Sequence, residues 1–121
     1  MATRSVIFHI TEPDIWAKAA EAGRFTGSTR DQSLDDVGFI HCSYEDQVEM
    51  IANFVYPDWD EELVLLEIDP ARIGVDLKVE SAIEAGPMFP HIYGPLPTAA
   101  VTAVHPLVRN DGRWVLPQPS A

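Results

Sequence analysis

Alternation between apolar and polar positions marks the start of the chain. From Ser5 to Ile10 every second residue falls on the same face of an extended strand, with Val6, Phe8 and Ile10 on one side and Ile7, His9 and Thr11 on the other. Thr11 then reads as the cap of a helix with Pro13 and Asp14 in its first turn, ending near Gly23. Ile15, Trp16, Ala19 and Ala20 give that helix an apolar face, so Trp16 is expected in the core. A long connection from Arg24 to Val37 follows, carrying Arg24 and Arg30 in a loop of the kind that often holds ligands.

The same two-residue period returns in Gly38-Phe39-Ile40-His41-Cys42-Ser43. Phe39, His41 and Ser43 share one face, and Ile40 and Cys42 the other. Ser43 with Asp46 three residues on predicts a second helix, with Val48, Ile51, Ala52 and Val55 as its apolar stripe and Pro57 as its stop. Gln47, one turn in, points back over the strand end. Leu63 to Ile68 is a nearly continuous apolar run, the pattern of a central strand, and is followed by the Asp69-Pro70 turn. Leu77 to Glu80 predicts a short strand. Seven of the ten prolines lie from Pro87 onward, which favours short strands there over helix. Val101 to Val104 and Trp114 to Leu116 flank the turn signal Asn110-Asp111-Gly112.

Helices in the first half and strands in the second predict an α+β domain with a bent or split sheet. At 121 residues, 46% of them hydrophobic, the chain makes one domain over 1–121, with a compact core over 5–116 and a loose tail at 117–121. No segment reaches the ~20 apolar residues of a membrane span, and no signal-peptide core precedes the first strand, so the cytoplasm is the expected compartment. With 19 acidic and 8 basic residues the formal net charge is −11. Such a surface repels phosphate backbones and anionic lipid, which disfavours non-specific nucleic-acid binding and leaves a small-molecule ligand as the expected partner. The acidic run around Trp59 lacks the ligand spacing of a calcium loop.

The candidate chemistry lies in the histidines. His9 with Thr11, His41 with Ser43 and His91 with Tyr93 each place two polar groups on one strand face, and three such strands can line one pocket. No pair among His9, His41 and His91 has the close spacing of a compact metal site, and no metal is expected. The single cysteine, Cys42, falls opposite His41 and is expected in the core as a reduced thiol. No glycine-rich phosphate loop and no serine-hydrolase elbow is present.

Phe8-His9-Ile10-Thr11, Trp16, Gly38 to Ser43, Gln47, Leu66 to Asp69, Glu80 and Phe89-Pro90-His91-Ile92-Tyr93-Gly94-Pro95-Leu96 resemble the bacterial and plant family known as domain of unknown function 952. The resemblance spans nearly the whole chain. It implies an ADP-ribosyltransferase-like fold, two short bent or split mixed sheets around an NAD cleft with two helices in the first half. On that likeness His9 contacts the nicotinamide-side ribose, His41 packs the ring, and the third motif residue is Glu80, His91 or Tyr93. His9, His41 and Glu80 are then the catalytic candidates. The binding candidates are His9, Thr11, Arg24, Arg30, His41, Ser43, Gln47, His91 and Tyr93, with NAD as the cofactor and ADP-ribosyl transfer as the activity. The alternatives are a non-catalytic nucleotide or metabolite-binding module and a glutathione- or thiol-dependent enzyme built on Cys42.

Overall fold

The computed structural model describes residues 6–28, 30, 33–81 and 86–116. In chain order the elements are β1 (Ile7–Thr11), α1 (Pro13–Ala22), β2 (Arg24–Phe25), α2 (Leu34–Val37), β3 (Ile40–His41), α3 (Val48–Val55), β4 (Val64–Ile68) and β5 (Asp76–Glu80). They continue with β6 (Phe89–Tyr93), β7 (Leu96–Pro97), β8 (Val101–Pro106), β9 (Val108–Asn110) and β10 (Arg113–Val115). The architecture is α+β.

Two three-stranded sheets carry the fold. In the first, β4 lies between β1 and β8, with Ile7 opposite Ile68 and His9 opposite Leu66. In the second, β6 lies between β3 and β5, with His41 and Lys78 flanking His91 on either side. Two-stranded ribbons join β2 to β7 and β9 to β10. Among the described residues every ladder is antiparallel, where the resemblance implied mixed sheets. The connections permit it, because strands that pair across long stretches of chain can run either way and here each returns against its neighbour.

The central position expected of Leu63 to Ile68 has a direct cause. One face of the first sheet carries Ile7, Leu66 and Ile68 into a core shared with Phe25, Ile40, Ile92 and Leu96, and Trp16 of α1 packs partly buried against it. The other face carries Phe8, Ile10 and Leu65 into a second core with Val48 and Ala52 of α3 and Trp114 of the β9–β10 ribbon. With apolar cover on both sides, all five residues of β1 are buried. The polar face expected for His9 and Thr11 is therefore an interior face, and both side chains are buried.

Several local expectations change. Thr11 ends β1 rather than capping α1, whose N-cap is Glu12 with no side-chain hydrogen bond. Gly23 closes α1 in the left-handed conformation, φ 85°. The connection from Arg24 holds β2 and the one-turn helix α2, so the described residues of the first half form three α-helices where two were expected. Ser33 caps α2 in a reciprocal box with Asp36. Ser43 pairs its backbone with Phe8 instead of capping a helix, and the turn Glu45–Gln47 before α3 is closed by the side-chain Oε1 of Gln47, which accepts from the Tyr44 N–H at 2.9 Å. The turn at Asn110 to Gly112 links β9 to β10, while β8 pairs with β4. The tail expected at 117–121 and the strand start at Ser5 lie outside the described residues. No helix is long and apolar enough to cross a membrane among the described residues.

Cys42 is completely buried in the first core, and burial pushes its thiol up. A thiol held neutral in the core is a poor nucleophile, which removes the basis of a Cys42-dependent enzyme. Leu65→Ala should cost about 3 kcal/mol in urea unfolding, and Cys42→Ala about 1 kcal/mol. Native Cys42 should also resist alkylation, and labelling at the rate of an exposed thiol would contradict its placement.

Candidate functional site

The site begins where the two sheets meet. Phe8 and Ser43 exchange two backbone hydrogen bonds, Phe8 N–H to Ser43 O at 2.8 Å and Ser43 N–H to Phe8 O at 2.7 Å. One residue beyond Phe8 on β1 is His9, and two residues before Ser43 is His41 of β3. The bridge therefore sets His9 beside the β3 backbone, and its Nδ1 donates to the His41 carbonyl at 2.6 Å. A carbonyl only accepts, so the Nδ1 of His9 carries the proton and, in the neutral ring, Nε2 is a lone-pair acceptor. That Nε2 is buried and has no partner with hydrogen-bond geometry among the described residues. Phe25 presses on the ring edge-on at 5.1 Å.

His41 and His91 face each other across the β3–β6 ladder. The neighbouring Cys42 N–H donates to Pro90 O at 2.9 Å, so His41 and His91 occupy the closer, non-hydrogen-bonded kind of pair that brings side chains together. Their rings meet through His41 Nδ1 and His91 Nε2 at 3.1 Å. His91 Nδ1 then lies 2.9 Å from Glu80 Oε2, which also accepts from the Tyr93 hydroxyl. Glu80 reaches His91 diagonally, two residues along β5 from Lys78, the direct partner of His91. Phe39 stacks on His91 at 4.1 Å, and Phe89 lies 5.0 Å from His41. The Lys78 ammonium sits 4.7 Å above the Tyr93 ring.

Burial sets the charges. Desolvation lowers the His9 pKa to about 4, partly offset by the carbonyls of His41 and Ser28. His41 is also lowered to about 4, by burial first and then by the neighbouring imidazoles of His91 and His9. Glu80 is lowered by hydrogen bonds from Tyr93 and His91, and Tyr93 is raised by its bond to that carboxylate. The centre at neutral pH is thus two neutral imidazoles and an ionised carboxylate.

His9, His41, Glu80, His91 and Tyr93 form one connected cluster. Ser43 supplies the backbone bridge beneath it, and Thr11 lies buried at the far end of β1. Gln47 does point back, but its amide donates to Met88 O at 2.8 Å and ties the α3 entrance to the approach to β6. Arg30 is committed elsewhere: its guanidinium donates to Val55 O at 2.8 Å, pairs with Asp58 at 3.2 Å and lies over Trp59. Arg24 is exposed on β2, opposite Pro97. The residues missed are Phe39 and Lys78. Phe39 had a signal, since it shares the alternation face of His41, whereas Lys78 joins the site only through the β5–β6 register.

His9, His41, Ser43 and Tyr56 line a cavity of about 10 Å³ under α3, room for roughly one water molecule. A broader groove of about 810 Å³ runs between Glu12, Asp14, Trp59, Glu61, Arg109 and Trp114 and includes none of the histidines. Among the described residues no three of His, Cys, Asp and Glu are placed to share a metal ion.

Fold and site together define an α+β domain of small antiparallel sheets with a buried histidine cluster at their seam. Residues 10–104 match the model of the family described as "Protein of unknown function (DUF952)", and the chain belongs to that family. Among solved structures it is similar to the crystal structure of protein CC0527 from Caulobacter crescentus, at 37% identity over 91% of this chain and 93% of that one, with a TM-score of 0.71. The solution structure of the same protein gives 34% identity over 91% and 90%, with a TM-score of 0.72. No curated protein matches. These matches lend no support to the ADP-ribosyltransferase-like part of the expected fold.

The histidines give the fold a calculable acid sensitivity. His9 is neutral when folded down to about pH 4 but takes up a proton near pH 6.5 when unfolded. The unfolded state therefore binds more protons between those values, and stability falls as pH drops through that window. His9 alone should cost about 2 to 3 kcal/mol by pH 4.5. Urea unfolding at pH 7.5 and 4.5 measures it, and His9→Asn should flatten the difference.

Proposed function

We propose that the histidine cluster is a small-molecule site and that its ligand is a nucleotide of the NAD or ADP-ribose type. The observation that carries the reading is convergence: four strands spread along the sequence supply His9, His41, Glu80, and His91 with Tyr93 to one hydrogen-bonded group. The donor set fits such a ligand in kind. Ribose hydroxyls are donors that an imidazole lone pair accepts, half-buried Phe39 offers a flat apolar wall, and Lys78 brings an ammonium to the same sheet face. With Arg30 committed to α3 and Asp58, Lys78 is the cation best placed for a phosphate.

His9 differs from the role first expected. Its Nδ1 proton is spent on the His41 carbonyl and its Nε2 is buried, so it supports the site by holding the β3 backbone in place. In ADP-ribosyl transfer the chain would have to hold the sugar while positive charge develops on it, and Glu80 is the carboxylate on hand. One oxygen of Glu80 already receives both Tyr93 and His91, which favours the second reading, a binding module without transfer.

Calorimetry with NAD, ADP-ribose and glutathione tests the reading. NAD or ADP-ribose should bind at micromolar to millimolar concentration and glutathione should not, and His41→Ala should abolish binding while far-UV dichroism stays unchanged. Absence of heat with both nucleotides would remove the nucleotide assignment.

A further inference from the structure

We propose that His41 Nε2 is the hydrogen-bond acceptor of this site, its lone pair fixed there by a chain of directed bonds that starts at Glu80. The proposal deepens the small-molecule reading and rests on it for one thing, the donor, which is a hydroxyl of the bound ligand. Its geometry is a chain of directed hydrogen bonds. Ionised Glu80 can only accept, so His91 Nδ1 donates to it. A neutral His91 then presents a lone pair at Nε2, and the partner 3.1 Å away, His41 Nδ1, must donate. That leaves the remaining nitrogen of His41, its Nε2, as a lone pair. Each tautomer is fixed by the one before it.

The same chain sets what the site receives: a ligand O–H donates to the His41 Nε2 lone pair, and the bonds behind it keep their direction. The ionisable groups around the pair are His9 on β1, Lys78 and Glu80 on β5, and Tyr93 on β6. Tyr93 and Glu80 are positioning residues, since they act on the ligand only through His91. The site accordingly selects hydroxyl donors, because a ligand offering only acceptors meets lone pair with lone pair.

Long-range proton–nitrogen correlation spectra of the ligand-free, ¹⁵N-histidine-labelled chain read each ring's tautomer directly. At pH 7.5, His9, His41 and His91 should all carry the proton on Nδ1. Glu80→Gln, whose amide can donate to His91 Nδ1 as well as accept from it, should release the fixed direction, so that His41 shows both tautomers. His41 found with Nε2–H in the wild-type chain at pH 7.5 would overturn the proposal, and the wild-type spectra decide this even if Glu80→Gln does not fold. Since no ligand is present, failure of nucleotide binding leaves the tautomer result standing, and the reverse also holds.

Discussion

Two backbone hydrogen bonds between Phe8 and Ser43 hold the arrangement together. Ile40 and His41 pair with β6, yet two residues later the same stretch is bonded to β1. The chain therefore belongs to both sheets in succession and fixes their relative register. Because strand side chains alternate with a period of two, a slip of one residue would turn His9 to the α3 side and put Phe8 or Ile10 in its place. The cluster exists only in this register. The hydrogen bond from His9 to the His41 carbonyl is in turn a second lock on the same seam.

Burying His9 and His91 and half-burying His41 would be costly if each stood alone. Here the cost is contained by sharing. His9 and His41 each use one nitrogen on a neighbour, His91 uses both, and Glu80, at the more open end of β5, accepts from two. Keeping His9 and His41 neutral avoids charge in the interior. The one formal charge lies where solvent reaches it. This division between a dry, neutral end and a wetter, charged end gives the cluster a direction, which an isolated histidine lacks.

Much of the arrangement is legible in the sequence because it depends on local periodicity. Alternation alone put His41 with Phe39 and opposite Cys42, and the apolar run to Ile68 marked β4 as central. The caps misled for a physical reason. A small hydroxyl residue ahead of acids marks a helix start, but at Thr11 and Ser43 the strand pairing of β1 outweighs the capping bond and the hydroxyl residue is taken into the sheet. Strand direction and the contribution of Lys78 are non-local facts, set by which distant segments meet. Arg30 looked free because its partners, Val55 and Asp58, lie more than twenty residues away.

Pro90 lies in β6, the middle strand of its sheet, where proline is seldom tolerated. Its carbonyl still receives the Cys42 N–H, so its nitrogen faces the same neighbour and has nothing to give back. The ladder between β3 and β6 thus loses half of its next rung at the point where the chain departs for β1. An ordinary amino acid at this position would complete the rung and extend the old pairing against the new one. The imino ring acts as a railway point set in the track: it ends one line, and the segment carrying His41 is diverted onto the other.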